Sequence, residues 1–255
     1  MDVTVDQASD PCANFMLPPP TPGRGVCGVC RALIAREHER CYICSRHPQS
    51  LDAVLPISYS VHLEQLHELL RGYKDAPQDW IKARFSVQVT AILWRFLRAH
   101  ERCLASRCDV SAFDIVTAVP SGSTARDRER RALREIVGAG CGATANRFQR
   151  VLRPTDRSTS EREYDRERYE ATTSLDDRSV LLIDDTWTTG RSAQSAASAL
   201  RSAGATRVAL VVIGRHIRRD FEDNDARLRR LARPLDWSRC SLDTCYADDR
   251  TNPRA

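Results

Sequence analysis

Lysine is nearly missing from this chain. Lys74 and Lys82 are the only two, although Lys and Arg together number 39 against 34 Asp and Glu, leaving a net charge of +5. The basic character therefore lies in arginine and is interleaved with acid, so no basic block marks a nucleic-acid surface; the modest positive balance suits an anionic small molecule equally well. No apolar run approaches bilayer-spanning length, and no membrane partner is indicated. Met1-Asp2 opens acidic with no apolar h-region behind it, so a cytoplasmic protein is expected. In that reducing setting the 10 cysteines argue for metal ligation ahead of disulfides. No G-x-x-x-x-G-K-[ST] loop occurs, which excludes the P-loop route to a nucleotide. The glycine-rich run Gly138–Ala143 follows an expected helix instead of a strand, which excludes a dinucleotide fingerprint there.

What the chain does have is concentrated in one stretch. Val180-Leu181-Leu182-Ile183 is the continuous apolar run of a parallel strand buried on both faces. Asp184 and Asp185 follow at its carboxyl end, where open α/β sheets place their ligands. A turn then runs through Thr188, Thr189, Gly190, Arg191 and Ser192, and Ala193–Ala203 carries a helical pattern that stops at Gly204. N–H groups at that helix start suit a phosphate. Paired carboxylates repel phosphate and suit vicinal hydroxyls, to which each offers two acceptors. A phosphate cradle beside a hydroxyl clamp reads as a ribose 5-phosphate site. The competing reading is an ordinary strand–turn–helix crossover with a solvated Asp pair.

Residues 1–25, with their proline cluster at 18–22, read as a disordered leader in which Cys12 is a bystander. Residues 26–50 read as a zinc-binding module. Cys27-x-x-Cys30 and Cys41-x-x-Cys44 are two knuckles able to present four thiolates to one tetrahedral Zn²⁺, and four Cys ligands leave no open position, so the metal is expected to be structural. A redox role for either pair is the alternative; His38 and His47 are nearby substitutes read as surface residues. Residues 51–220 carry the α/β pattern: a strand at 55–60, an amphipathic helix from Leu63 to Tyr73, a long helix from Trp80 to Arg98, and a strand at 113–120. Trp80 and Trp94 are expected to pack. After that strand, Ser121, Gly122 and Ser123 form a polar loop leading into a helix from Arg126 to Val137, where Arg126 and Arg128 could grip a pyrophosphate; the alternative is a solvated helix start. A short strand at 151–154 and a polar flap at 155–173, with Ser158-Thr159-Ser160 at its centre, precede the organising strand, and 207–214 supplies the next one. Residues 221–255 read as a basic, irregular extension. Cys103 and Cys108, like Cys240 and Cys245, are separated by four residues; they read as thiols, with a second metal site open if the fold joins the pairs.

The stretch 180–192 resembles the 5-phosphoribosyl-1-pyrophosphate (PRPP) signature of type I phosphoribosyltransferases, with Thr186 and Trp187 less usual at its two central positions. Together with the cysteine knuckles, Tyr59, Gly72-Tyr73-Lys74 and Val119-Pro120-Ser121, the chain looks like the ComF-like branch of that family. The resemblance implies a three-layer αβα core with a mostly parallel sheet, and a small N-terminal zinc-ribbon-like module. It implies Mg²⁺–PRPP at the sheet's carboxyl edge, with Asp184 and Asp185 on the ribose hydroxyls and Thr188–Ser192 on the 5-phosphate. Ser121–Ser123, Arg126 and Arg128 would meet the pyrophosphate. Transfer of the phosphoribosyl group to a nitrogen acceptor is expected. The alternative is a non-catalytic PRPP- or nucleotide-binding module acting in DNA uptake or regulation, with the zinc module as a protein-docking surface. The Arg-Gly-Phe-Asn-like stretch common in that branch is missing, and Arg128-Glu129-Arg130-Arg131 stands in its place. With no lysine after Lys82, any basic flap residue must be arginine. A homodimer is left open.

Overall fold

Four parallel strands in the order β1-β6-β5-β2 form the centre of the computed structural model, which describes residues 3–129, 131–157 and 164–242. They are β1 (Ala53–Val61), β2 (Ile115–Ala118), β5 (Ser179–Trp187) and β6 (Arg207–Ile217). The remaining two, β3 (Leu152–Pro154) and β4 (Tyr169–Ala171), pair antiparallel in a separate two-stranded sheet. The α/β architecture expected from the sequence is therefore present.

Alternation of side chains gives each central strand two buried faces. Leu55, Ile57, Leu181, Ile183, Val211 and Ile213 share one core with helices α3 (Gln65–Asp75) and α4 (Asp79–Arg107). Val54, Val180, Leu182, Val208, Leu210 and Val212 face the opposite way, against α7 (Arg191–Ser202) and the sulfurs of Cys27, Cys30 and Cys44. The cysteine segment thus contributes to the core of the second layer.

Several expectations are corrected. The leader is ordered: α1 (Val5–Ala13) starts with a capping box between Thr4 and Gln7 and lies on α4, where Arg95 pairs with Asp6 and Asp10. Cys12 and Met16 are fully buried beneath it. Beyond α1, Leu17 accepts a hydrogen bond from Tyr59 N at 2.8 Å, adding a bridge to the edge of β1. Leu63 is exposed, at φ +63°, ahead of α3, so it does not belong to that helix's apolar face. Trp80 is also exposed at the start of α4, whereas Trp94 packs on the core. The single helix expected from Arg126 to Val137 is broken: α5 (Thr124–Glu129) is followed by α6 (Ala132–Glu135), which runs into a π-helical turn at Ile136–Gly140. The tail contains α8 (Asn224–Leu231), held by Leu228 in a cluster with Leu33, Tyr59, Val61 and Ile217. The flap centre Ser158-Thr159-Ser160 and Cys245 lie outside the described residues. Among those described, no helix is long and apolar enough to cross a membrane.

One glycine fixes how α3 meets α4. A Cβ on Gly72 would fall against the Phe85 ring, so the two helices approach closely only because position 72 carries none. Gly72→Leu should lower the free energy of unfolding by about 1–3 kcal/mol through overpacking, which outweighs the helix-propensity gain of about 1 kcal/mol. A denaturant midpoint equal to wild type would mean that Phe85 swings aside without cost.

Candidate functional site

The carboxyl ends of β2 and β5 open onto a cavity of about 350 Å³. The loops that leave the carboxyl ends of these two neighbouring strands face one space, at the edge where open α/β sheets bind ligands. Its walls are the β2 loop (Val119–Gly122), the β5 loop (Asp184–Ala193), Tyr73 and Lys74 from the last turn of α3, Asp127, Arg134 and Tyr169. Asp184, Asp185, Thr188, Thr189, Gly190, Arg191, Ser192, Ser121 and Gly122 are thus gathered around one space.

Asp185 is buried and paired with the Lys74 ammonium, and it also accepts a hydrogen bond from the Tyr73 hydroxyl. Burial, then the Asp185 charge, holds the Tyr73 phenol well above its usual pKa, so it remains a neutral donor. Asp184 Oδ1 accepts from the Asp185 N–H at 2.9 Å. Among the described residues, no ion pair to its carboxyl is found. Burial and the neighbouring Asp185 charge push its pKa up to about 8, although Lys74 opposes the rise. In the unliganded protein Asp184 is therefore substantially protonated at neutral pH.

The turn that follows is left-handed at Gly190, φ +77°, and no side chain caps α7. The first-turn N–H groups of this 12-residue helix thus face the cavity side of the loop, a cradle suited to a phosphate. Gly190 has a second reason to be glycine. The buried Trp187 ring lies over it, and any Cβ at 190 would overlap that ring. The unusual tryptophan of the motif is accommodated by the glycine of the same motif.

The side of the cavity where pyrophosphate was expected differs from that expectation. Asp127 is the residue of α5 that turns inward: its carboxylate accepts from Ser121 N at 3.0 Å and pairs with Arg134 at 2.5 Å and Arg150 at 2.7 Å. Flanking an inward residue by one position each way, Arg126 and Arg128 are turned out by the helical repeat; both are exposed and neither lines the cavity. Ser123 is used at the start of α5, where its carbonyl accepts from Asp127 N at 2.8 Å. The cationic groups near the β2 loop are instead Arg134 and Arg168. Arg168 is buried beside the hairpin, and a Cβ at Gly122 would lie 3.4 Å from its Nη1. Tyr169, the next residue, donates to Pro120 O at 2.9 Å and so ties the β3–β4 hairpin to the β2 loop. Sequence reasoning gave no site role to Lys74 or Arg134, which line the cavity, or to Arg168 beside it; Lys74 entered only within Gly72-Tyr73-Lys74, as part of the family resemblance.

Cys27, Cys30, Cys41 and Cys44 present sulfurs that all lie within 4.8 Å of one another, and Cys30 and Cys41 are 3.8 Å apart. Tetrahedral Zn²⁺ with bonds of about 2.3 Å places its sulfurs roughly 3.8 Å apart, so the donor set fits that ion. Arg215, at the end of β6, links this cluster to the site. Its Nη1 donates to the carbonyls of Trp187 and Thr188, both at 3.2 Å. Burial opposes the guanidinium's charge, but the Cys30, Cys41 and Cys44 sulfurs outweigh it and raise its pKa.

The state of Asp184 makes stability pH-dependent. Its folded pKa of about 8 lies above the ordinary 3.8, so the folded chain holds the proton more tightly than the unfolded chain does. Stability from this group is complete below pH 4 and is lost as pH rises toward 8. Asp184→Asn removes the loss. Its melting temperature should exceed wild type at pH 8, with the difference shrinking to near zero at pH 4. A difference that is flat across this window would show that Asp184 is ionised throughout.

Compared with known families, residues 136–248 match the model of the phosphoribosyl transferase domain. The matched segment holds β3 to β6, α7 and the whole 184–192 loop, less than half of the chain. No curated protein matches. The match supports a PRPP-binding, transferase-like role for the cavity at the end of β5.

Proposed function

We propose that the protein binds Mg²⁺–PRPP in this cavity and transfers the phosphoribosyl group to a nitrogen acceptor, releasing pyrophosphate. The observation that carries this reading is the meeting of an acid pair, a helix N-terminus and the β2 loop around one space. Asp184 and Asp185 accept from the ribose 2- and 3-hydroxyls; the donors and a nearby cation favour the ionised form of Asp184. The N–H groups of the 188–192 turn and the hydroxyls of Thr188, Thr189 and Ser192 hold the 5-phosphate. Arg134 and Arg168, in place of Arg126 and Arg128, face the pyrophosphate, and Arg168 fills the role of the basic flap residue.

The cavity offers carboxylate and hydroxyl oxygens, the donor chemistry Mg²⁺ takes. When bound, the ion neutralises charge on the departing pyrophosphate. The protein's own part is positioning of the two ends of PRPP and stabilisation of the leaving group's charge while the sugar passes through an oxocarbenium-like state. The Cys27/Cys30/Cys41/Cys44 centre holds structural Zn²⁺. That centre, joined to a core with the 184–192 loop, is the feature that favours the ComF-like branch.

Mixing protein, PRPP and Mg²⁺ with a panel of nucleobases and other nitrogen acceptors tests the reaction. Acceptor-dependent pyrophosphate release supports transfer. PRPP binding with no release for any acceptor supports the alternative, a nucleotide-sensing module acting on partners in DNA uptake or regulation. Binding is read independently: at a hundred times its Kd, PRPP should stabilise the fold by about 2.7 kcal/mol. Arg134→Gln should weaken PRPP and pyrophosphate at least tenfold, from the loss of a charged hydrogen bond of about 1.5–3 kcal/mol, and spare AMP. Arg126→Ala with Arg128→Ala should leave all three affinities unchanged in calorimetry. The reverse pattern would move the pyrophosphate to the exposed side of α5.

A further inference from the structure

The chain has only 6 histidines, and three of them, His62, His67 and His216, meet at one place. One ring nitrogen from each lies within 4.8 Å of the other two, and the ring centroids are 5.0, 5.3 and 5.5 Å apart. Three separate elements bring them there. β1 ends at Val61, and His62 N donates to Ile217 O at 2.9 Å, which ties it beside the end of β6. His216 belongs to β6 itself, as the register partner of Ser60. Leu63, at φ +63°, then turns the chain so that His67, in the first turn of α3, comes back to the same spot. We propose that His62, His67 and His216 bind a divalent transition-metal ion, of which Zn²⁺ is the representative, through their three imidazoles. This site stands whether or not the neighbouring cavity binds PRPP.

The donors select the class of ion. Imidazole suits Zn, Cu, Ni and Fe, whereas Mg²⁺ and Ca²⁺ take oxygen ligands. Tetrahedral zinc with bonds of about 2.0 Å separates its nitrogens by roughly 3.3 Å, so side-chain rotation closes the remaining gap. Among the described residues, no hydrogen bond to the ring nitrogens of His62 or His216 is found, and their lone pairs are available. His67 is held differently: its Nδ1 lies 3.2 Å from Leu63 N and 3.3 Å from Glu68 Oε1. With metal on Nε2, the Nδ1 proton goes to Glu68, the carboxylate partner usual behind a metal-bound histidine.

Neighbouring cations would oppose an ion here unless they were countered. Arg71 faces Glu68 at 3.6 Å, Arg218 pairs with Asp220 at 2.6 Å, and Lys74 pairs with Asp185. Arg215 is turned to the carbonyls of Trp187 and Thr188. Three protein ligands leave a fourth position for water or another small ligand. The rings line a pocket of about 330 Å³, and its Lys74, Thr186 and Thr188 also line the cavity at the end of β5. The ion would thus stand one wall away from the candidate site. The other histidine-containing group, His100 with Cys103 and Cys240, does not offer the same chemistry, because Cys103 is disulfide-bonded.

The experiment is calorimetric titration of Zn²⁺ into full-length protein dialysed free of loosely held metal. Wild type should bind one equivalent that His62→Ala, His67→Ala and His216→Ala each bind roughly tenfold more weakly or worse, since loss of an outer partner alone costs about 10–100-fold. His62 is exposed, so His62→Ala keeps the fold, and a titration equal to wild type overturns the proposal. Should the other variants fail to fold, proton NMR of wild type decides it. The Cε1–H signals of His62, His67 and His216 should shift together on adding Zn²⁺ and stay in place with Mg²⁺. Fewer than three shifts, shifts of His38, His47 or His100 in their stead, or an equal response to Mg²⁺ overturns it.

Discussion

Lys74 against the carboxylate pair of β5 is the interaction on which the site depends. A parallel strand covered on both faces can carry charge only where it leaves the sheet, and β5 carries two carboxylates there. Two like charges at a buried strand end are not tolerated together. The protein resolves this asymmetrically. Asp185 receives a compact ammonium and a phenol donor, while Asp184 keeps a proton. A buried pair of this kind adds little net stability, because desolvation offsets the attraction, but losing one partner strands the other at a cost of about 3–5 kcal/mol. Its value is therefore geometric: Asp185 is fixed, and Asp184 is the member that, in the proposed function, the ribose hydroxyls recruit. One of only two lysines in the chain is placed here because α3 ends at Asp75, and α3 reaches the β5 loop because Gly72 lets it settle against α4.

The parts of the fold that could be read in advance are those whose signal is local. β5 and β6 show continuous apolar runs because both faces are buried, and the 184–192 loop is contiguous, so its chemistry and its position could be argued together. What stayed hidden depends on distant partners. α1 has Pro11 within it and little apolar surface; Arg95, far along the chain, supplies the countercharge for Asp6 and Asp10. The β3–β4 pair is three residues wide and belongs to no larger sheet, below the length at which alternation can be recognised. Arg126 and Arg128 failed for a subtler reason. Composition says that α5 is charged, but its rotation is set by a buried charge, Asp127, which two arginines and a backbone N–H neutralise. A polar helix carries no apolar stripe from which that phase could be read.

The cysteine segment reads in sequence as an appendage ahead of the α/β pattern, yet its sulfurs sit in the second-layer core with α7. Arg215 explains what this arrangement accomplishes. Trp187 and Arg215 are register partners on adjacent strands, so the guanidinium emerges beside the point where β5 passes into the 188–192 turn. One side of it meets the Cys30 sulfur; the other donates to the carbonyls of Trp187 and Thr188. Those carbonyls must point away from an anion if the N–H groups that follow are to point toward it. Four thiolates around a divalent ion carry net negative charge, which would keep the guanidinium charged and in place. Arg215 thus braces the loop from behind, between the Cys30 sulfur and the Trp187 and Thr188 carbonyls, on the side away from the cavity.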